Sequence, residues 1–141
     1  MIRIRKGPEV LMSLPSPTGS AFNRTKGAYL ATELSVAGTH WTRFMGLMAI
    51  GAGEFGSGRG LWITPSHGVH TLAMRFPIDV LYLDKNGVVV HARSQLKPWR
   101  VAAVLRQAAS VLELPPHTLR TTQTAIGDSI DISIRRSGSV D

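Results

Sequence analysis

The sequence contains no cysteine. It can therefore build neither a disulfide framework nor a cysteine-ligated zinc site, and a reducing compartment is permitted. Long hydrophobic runs are also absent, since no apolar stretch approaches the roughly 18 residues that span a bilayer. The first apolar stretch carries Glu9 and stops at Pro15, so it is too short and too polar for a signal-peptide core. We expect a cytoplasmic protein that does not associate with a membrane.

Acidic residues are scarce, with nine Asp and Glu against 16 Lys and Arg and a formal net charge of +7. Five basic residues and one acidic residue in the first 26 positions give that segment +4, and these are Arg3, Arg5, Lys6, Arg24 and Lys26 against Glu9. The rest of the chain has no basic run and no aromatic residues interleaved with Lys or Arg, as single-strand-binding proteins have. We therefore do not expect a nucleic-acid partner.

The start of the chain also lacks a hydrophobic period and contains Pro8, Pro15 and Pro17. We predict a flexible basic leader over residues 1–26, a folded domain over residues 27–136 and a frayed tail over residues 137–141. A length of 141 residues with 43% hydrophobic content suits one domain with a two-layer core.

The hydrophobic periodicity mostly predicts strands. Residues 28–36 alternate, which places Leu30, Thr32 and Leu34 on one face. Residues 78–83 are apolar at nearly every position, which indicates a strand covered on both sides. Shorter apolar or alternating runs predict further strands at residues 61–63, 88–93, 110–114 and 130–134, and a hairpin turn at residues 84–87.

Two short helical segments are predicted. Thr39 can cap a helix whose apolar stripe extends from Trp41 to Met48, and residues 117–120 can form a single turn. Residues 101–109 fit a helix or a strand equally well. The strands and turns together predict a mainly β protein, a single-domain antiparallel β-sandwich or barrel with one short α-helix.

Several strings of residues point to a known family. The central string is Met74-Arg75-Phe76-Pro77-Ile78-Asp79-Val80, preceded by Thr42-Arg43-Phe44-Met45-Gly46-Leu47-Met48, Arg59-Gly60-Leu61-Trp62 and Val69-His70-Thr71, and followed by Ser110-Val111-Leu112-Glu113-Leu114-Pro115 and Ile126-Gly127-Asp128. Over residues 34–134 the chain resembles the family called domain of unknown function 192. This resemblance implies a compact, jelly-roll-like β-sandwich and no established activity. Some relatives carry a cysteine where Ser66 stands, so their thiol chemistry is not implied for this chain.

Two charged residues, Arg75 and Asp79, lie in otherwise apolar sequence. A buried carboxylate costs several kcal/mol unless it is paired or hydrogen-bonded. The Phe76-Pro77 break between them can turn the chain so that the guanidinium and the carboxylate meet. The favoured interpretation is a structural ion pair. The other is a site in which Arg75 keeps free donors for an anionic or polyhydroxyl ligand and Asp79 orients it.

These residues predict a candidate ligand site formed by His70, Arg75, Asp79 and Trp99. The expected function is non-catalytic binding of a small polar or carbohydrate-like ligand, an expectation that depends on the fold class. One alternative is a small hydrolase that uses His70 and Asp79 as base and orienting group. Another is a protein-interaction module whose basic leader docks to an acidic partner. A glycosidase would need two carboxylates beside one cleft, and only Asp79 and Glu113 lie in apolar strand context.

No metal or cofactor is predicted. His67 and His70 have HxxH spacing, but they lie on a turn and a strand start, so the imidazoles need not converge. The glycines of residues 51–60 follow a helix instead of a strand, which is the wrong context for a dinucleotide site.

Overall fold

The computed structural model describes residues 16–38, 55–68, 76–97 and 104–135. These ranges contain seven strands, β1 (Gly19–Asn23), β2 (Ala28–Ala37), β3 (Arg59–Ile63), β4 (Ile78–Leu83), β5 (Val89–Leu96), β6 (Ser110–Leu114) and β7 (Ile130–Ile134), and one helix, α1 (Thr118–Thr122), between β6 and β7. The prediction of a mainly β, single-domain protein with a short helix is confirmed. The narrower jelly-roll arrangement stays a prediction.

All the described strands belong to one sheet with the order β5-β4-β6-β3-β2-β1-β7. Neighbouring strands are antiparallel except β2 and β3, which are parallel. The two outermost strands meet at one end, because Val88 forms a bridge with Ser129 and the Ile130 N–H donates to the Gly87 carbonyl at 2.9 Å. The sheet is therefore curled on itself, like an incompletely closed barrel.

The curled sheet has a hydrophobic cluster on each face. The inner cluster draws on β1, β2, β4, β5, β6, β7 and α1, and contains Ala21, Leu30, Ala31, Leu34, Leu81, Leu83, Val89, Leu112, Leu114, Leu119 and Ile130. Because it takes residues from both outermost strands, it fills the inside of the curl. The outer cluster contains Ala37, Phe55, Leu61, Ile63, Phe76, Ile78, Val80, Tyr82, Leu96, Ala108 and Val111. All six residues of β4 are buried, so the expectation of a strand covered on both sides is confirmed.

Strand β2 is present as predicted, but its side chains alternate differently. Thr32 is exposed, whereas Ala31 and Ser35 are buried. The N–H groups of both Thr32 and Glu33 donate to the Gly58 carbonyl at 2.9 Å, so two successive residues face one acceptor and the strand bulges. A bulge adds a residue to the ladder, which reverses the faces on which later side chains lie.

Strand β1 lies in the part of the chain that the sequence predicts to be a flexible leader. Residues 19–23 instead pair with both β2 and β7. Their buried side chains are Ala21 and Asn23, and Gly19 has none, so no hydrophobic period marks the strand. A Cβ at Gly19 would lie 2.2 Å from the Ser133 carbonyl oxygen, which explains the glycine.

The turn after β4 matches its prediction. Gly87 has φ of +82°, and Asp84 Oδ1 accepts the N–H groups of Asn86 and Val88 at 2.8 and 2.9 Å. The single turn predicted at residues 117–120 is present as α1. The helix predicted after Thr39 lies outside the described residues. No helix in the described ranges is long and apolar enough to cross a membrane.

Candidate functional site

Asp79 is the only residue of the predicted ligand site that falls within the described ranges, since His70, Arg75 and Trp99 lie outside them. Its side chain is fully buried. Oδ1 accepts the Gln95 N–H at 2.8 Å and Oδ2 accepts the Leu119 N–H at 2.9 Å. Asp79 therefore fastens the end of β5 and the first turn of α1 to β4. An ion pair with Arg75 stays a prediction.

A cavity of about 680 Å³ lies on the side of α1 where β2 begins and β6 ends. This volume falls within the range of small-molecule sites. Its described lining contains no Asp, Glu, Lys or Arg and consists of Tyr29, Leu30, Ala31, Thr32, Phe55, Gly56, Ser57, Gly58, Phe76, Pro115, Pro116, His117, Thr118, Thr121 and Thr122. An uncharged lining favours a neutral ligand.

Aromatic rings form part of the cavity. Phe55 and Phe76 are buried, with ring centroids 6.1 Å apart, and they also belong to the outer cluster. Tyr29 is 58% exposed, and its ring meets that of Phe22 edge-on at a centroid distance of 4.8 Å. The cavity thus combines a buried apolar base with an exposed aromatic ring.

The polar wall of the cavity comes mainly from α1. The Thr118, Thr121 and Thr122 hydroxyls donate to the carbonyls of Pro115, His117 and Thr118 at 2.7, 2.9 and 2.8 Å. Because their hydrogens are used internally, these hydroxyl oxygens can only accept hydrogen bonds from a ligand. The Thr32 and Ser57 hydroxyls make no hydrogen bond among the described residues, so they can also donate. The wall suits a ligand that carries hydroxyl groups.

Glu113 is another buried carboxyl group, near the end of β6. Its exposed fraction is 3%, and its Oε1 has no hydrogen-bond partner. It pairs across the sheet with Leu61 of β3 and Val80 of β4, which belong to the outer cluster. Burial in this apolar environment raises the pKa of Glu113 to about 8. Glu113 is therefore mostly uncharged at neutral pH.

The buried carboxyl groups of Asp79 and Glu113 cannot act together on one substrate bond. Asp79 pairs with Leu114, which belongs to the inner cluster, whereas Glu113 faces the outer cluster. Since paired residues point to the same side of a sheet, the carboxyl groups lie on opposite faces. They do not flank one cleft, as a glycosidase requires.

His67, His91 and Trp62 have local partners. His67 Nδ1 lies 2.7 Å from the Ala108 carbonyl oxygen, and the ring of His91 meets that of Tyr82 edge-on at 5.1 Å. Among the described residues, no three His, Asp or Glu side chains come close enough to hold a metal ion. Trp62 packs against the inner cluster and donates from Nε1 to Ser110 Oγ at 2.9 Å, so it lies away from the cavity.

The cavity was not predicted from the sequence. Its described lining comes from four separate parts of the chain, and their threonines, serine and glycines form no motif. The turn at residues 117–120 was predicted, but nothing in the sequence shows that its hydroxyls line a space. Asp79 was found by its apolar context, and the structure places it behind the cavity wall as the residue that fixes α1.

The fold and the cavity define a small, curled β-sheet domain with a ligand-sized pocket at one end. A sequence model of the DUF192 family, described as an uncharacterized ACR, matches residues 21–132. The chain therefore belongs to the DUF192 family.

Two relatives agree with this assignment, and one solved structure has a similar fold. A UPF0127 protein of Thermococcus sibiricus is 29% identical over 122 residues, which are 83% of this chain and 77% of that protein. A UPF0127 protein of Pyrococcus furiosus is 32% identical over 116 residues, which are 77% of this chain and 94% of that protein. A crystal structure of a protein of unknown function from Novosphingobium aromaticivorans has a TM-score of 0.68 and 17% identity, over 80% of this chain and 83% of that one. This structural similarity shows the fold alone.

Proposed function

We propose that this protein is a non-catalytic domain that binds a small, neutral, polyhydroxylated ligand in the cavity beside α1. The observation that carries this proposal is the composition of the lining. The lining combines the threonines of α1, a buried apolar base and the exposed ring of Tyr29, and it contains no Asp, Glu, Lys or Arg among the described residues.

Each part of the cavity matches one part of a sugar or polyol. The hydroxyl oxygens of Thr118, Thr121 and Thr122 can accept from ligand hydroxyls, while those of Thr32 and Ser57 can donate or accept. An aromatic face can cover the C–H face of a sugar ring, and burying that apolar area favours binding. Asp79 contributes indirectly by holding α1 in position.

The hydrolase alternative has less support. It requires His70, which lies outside the described residues, and Asp79, whose two oxygens already accept backbone N–H groups. The proposal places the protein in the cytoplasm, since the chain has no cysteine. It includes neither a nucleic-acid nor a membrane partner.

The test is a thermal-shift and ligand-observed NMR screen with glucose, galactose, maltose and inositol. We expect at least one of them to raise the melting temperature, because a ligand that binds only the folded state stabilises it. Thr32→Val and Ser57→Ala should weaken that binding, since each removes a cavity hydroxyl that makes no internal hydrogen bond. Ser94→Ala, at an exposed position of β5 outside the cavity, is the control. A screen without any stabilising compound, or binding that both cavity variants leave unchanged, would contradict the proposal.

A further inference from the structure

Arg59 and Glu113 lie near each other on the outer face of the sheet. Leu61 is the residue of β3 directly opposite Glu113, and Arg59 comes two positions earlier in the same strand. Residues two apart in a strand share a face, so Arg59 is a diagonal neighbour of Glu113, at a typical separation of about 7–8 Å. The side-chain contact of Arg59 Nη2 with Ser35 Oγ, at 3.4 Å, agrees with this placement because Ser35 also pairs with Leu61.

Both side chains contain a buried polar atom without a hydrogen-bond partner. These atoms, Nε of Arg59 and Oε1 of Glu113, are the only two of this kind among the described residues. The nearest described carboxylate to Arg59 Nε is that of Glu33, and its Oε1 is 3.9 Å away, beyond hydrogen-bond distance. A buried donor or acceptor without a partner destabilises the folded state. Two such atoms on one face therefore indicate a missing partner.

The chemistry of the missing partner follows from what the two groups offer. A neutral Glu113 carries an O–H that donates, and Arg59 Nε carries an N–H that donates together with a positive charge. Both donors need an oxygen acceptor, and the guanidinium favours a negative one. A carboxylate has two oxygens in a plane and one negative charge, which matches one O–H donor, one N–H donor and one cation. A phosphate dianion carries more charge than this pair balances.

We propose that Arg59 and Glu113 form a binding site for the carboxylate group of a ligand, with Arg59 Nε–H and the Glu113 O–H as its two donors. The Arg59 side chain is 22% exposed beside Glu33, so part of it is open to solvent at that edge of the sheet. The site lies on the outer face of β3 and β6. It goes beyond the proposed function and does not depend on the cavity, whose described lining includes neither residue.

Binding at this site is linked to a proton. The carboxylate of a ligand accepts from Glu113 only while Glu113 keeps its proton, and an ionised Glu113 repels it. The other charged or titratable groups on this face of the described strands are Glu33 on β2, Arg59 on β3, Tyr82 on β4 and His91 and Arg93 on β5. Burial raises the pKa of Tyr82 above its ordinary value, so Tyr82 stays neutral over the range of the test. The affinity for a carboxylate should fall by about tenfold per pH unit once Glu113 ionises.

The experiment titrates the full chain with acetate and follows the backbone amide resonances of residues 59–61 and 112–114 from about pH 6 to about pH 9. Acetamide, which has the same shape and no charge, and inorganic phosphate are the comparison probes. Glu113→Gln keeps a donor at the same place but cannot ionise, so it should bind acetate with an affinity that no longer falls at high pH. Glu113→Leu removes the donor and should abolish binding at every pH. Arg59→Lys removes the Nε–H and should weaken binding at every pH.

The outcomes separate the alternatives. Saturable acetate shifts that weaken at high pH in the natural chain but not in Glu113→Gln support the site, and acetamide should bind much more weakly. The proposal is overturned if acetate causes no saturable shift, if Glu113→Leu binds as the natural chain does, or if phosphate binds in preference to acetate. Thr32→Val, which changes only the cavity, should leave acetate binding unchanged, so failure of one site does not imply failure of the other.

Discussion

At the scale of single residues, the buried carboxyl groups of Asp79 and Glu113 differ in what surrounds them. Asp79 receives a backbone N–H at each oxygen, whereas Glu113 lies among Leu61, Val80 and Val111 with Oε1 unsatisfied. Apolar burial favours the neutral acid at Glu113. Two acids on neighbouring strands thus have different roles, one in fixing the chain and one in holding a proton.

Glu113 makes stability depend on pH. Its pKa is about 8 in the folded protein, against an ordinary value of 4.5. Between these values the folded state binds more protons than the unfolded state, so the free energy of unfolding falls as the pH rises, by up to about 1.4 kcal/mol per pH unit. The stabilising contribution of Glu113 is complete when the pH is below its pKa in the unfolded chain. It is lost as the pH rises through its pKa in the folded protein.

Urea unfolding of the natural chain and of Glu113→Gln from about pH 5 to about pH 8 measures this effect. Glu113→Gln should show a flatter dependence, since glutamine does not titrate. Burial raises the pKa of Asp128, but hydrogen bonds from Asn23, Lys26 and Ala125 outweigh it and hold that pKa below its ordinary 3.8. Asp128 therefore loses its stabilising effect only in more acidic solution, outside this range. Parallel curves for the two proteins would show that Glu113 is ionised in the folded state.

At the scale of elements, Asp79 connects three of them. Its two hydrogen bonds join β4 to the end of β5 and to α1, and α1 carries most of the polar wall of the cavity. Asp79→Asn replaces one acceptor oxygen by an NH₂ group that faces a backbone N–H. We expect a loss of about 1–3 kcal/mol in the free energy of unfolding, since a buried backbone N–H without an acceptor typically costs about that much.

Urea unfolding at neutral pH tests this prediction, with Asp131→Asn as the matched control. Asp131 pairs with Arg24 at 3.5 Å, and both side chains are largely exposed, so its replacement should cost less than about 1 kcal/mol. Equal losses in the two variants would mean that the buried hydrogen bonds of Asp79 do not hold the elements together.

The strands that could be predicted from the sequence are those whose burial follows a simple hydrophobic period. Residues 78–83 are apolar at nearly every position, and residues 130–134 alternate, so β4 and β7 were both found. Strand β1 was missed because Ala21 and Asn23 are small or polar and Gly19 has no side chain. The residues of β1 are buried by close contact between backbones, and a hydrophobic pattern in the sequence cannot reveal such contact.

The candidate site was harder to predict for a related reason. Asp79 and Glu113 have similar apolar neighbours in sequence, yet they face opposite sides of the sheet. That difference depends on the register of β4 with β6, where Asp79 pairs with Leu114 and Glu113 pairs with Val80. Register is set by contacts between segments far apart in the chain, so local patterns identify the carboxyl groups but not their surroundings.

At the scale of the whole molecule, the sheet closes where the turn after β4 meets the start of β7. Gly87 has φ of +82°, and a Cβ there would lie 2.7 Å from the Ile130 carbonyl oxygen. Gly87→Ala should therefore force this contact apart as well as strain the backbone, with an expected loss of about 2–4 kcal/mol. Hydrogen exchange at the Val89 and Ile130 amides, which donate across the closure, should accelerate with it.

Gly27→Ala is the matched control for this prediction. Gly27 has φ of +69°, and a Cβ there would meet no atom within 4 Å, so alanine brings the backbone strain without the contact. The control should lose about 1 kcal/mol and leave exchange at Val89 and Ile130 unchanged. Identical losses in the two variants would show that the closure contributes little to stability.

The pairing of β1 with β7 has a consequence for synthesis on the ribosome. Contacts between these strands join residues more than a hundred positions apart, as in the pairing of Asn23 with Ile130. Long-range strand pairing is slow because the intervening chain must first be ordered. β1 leaves the exit tunnel long before β7 is translated, so the nascent chain carries an unpaired edge until β7 emerges. The growing polypeptide is thus expected to need protection by chaperones until its last strand emerges.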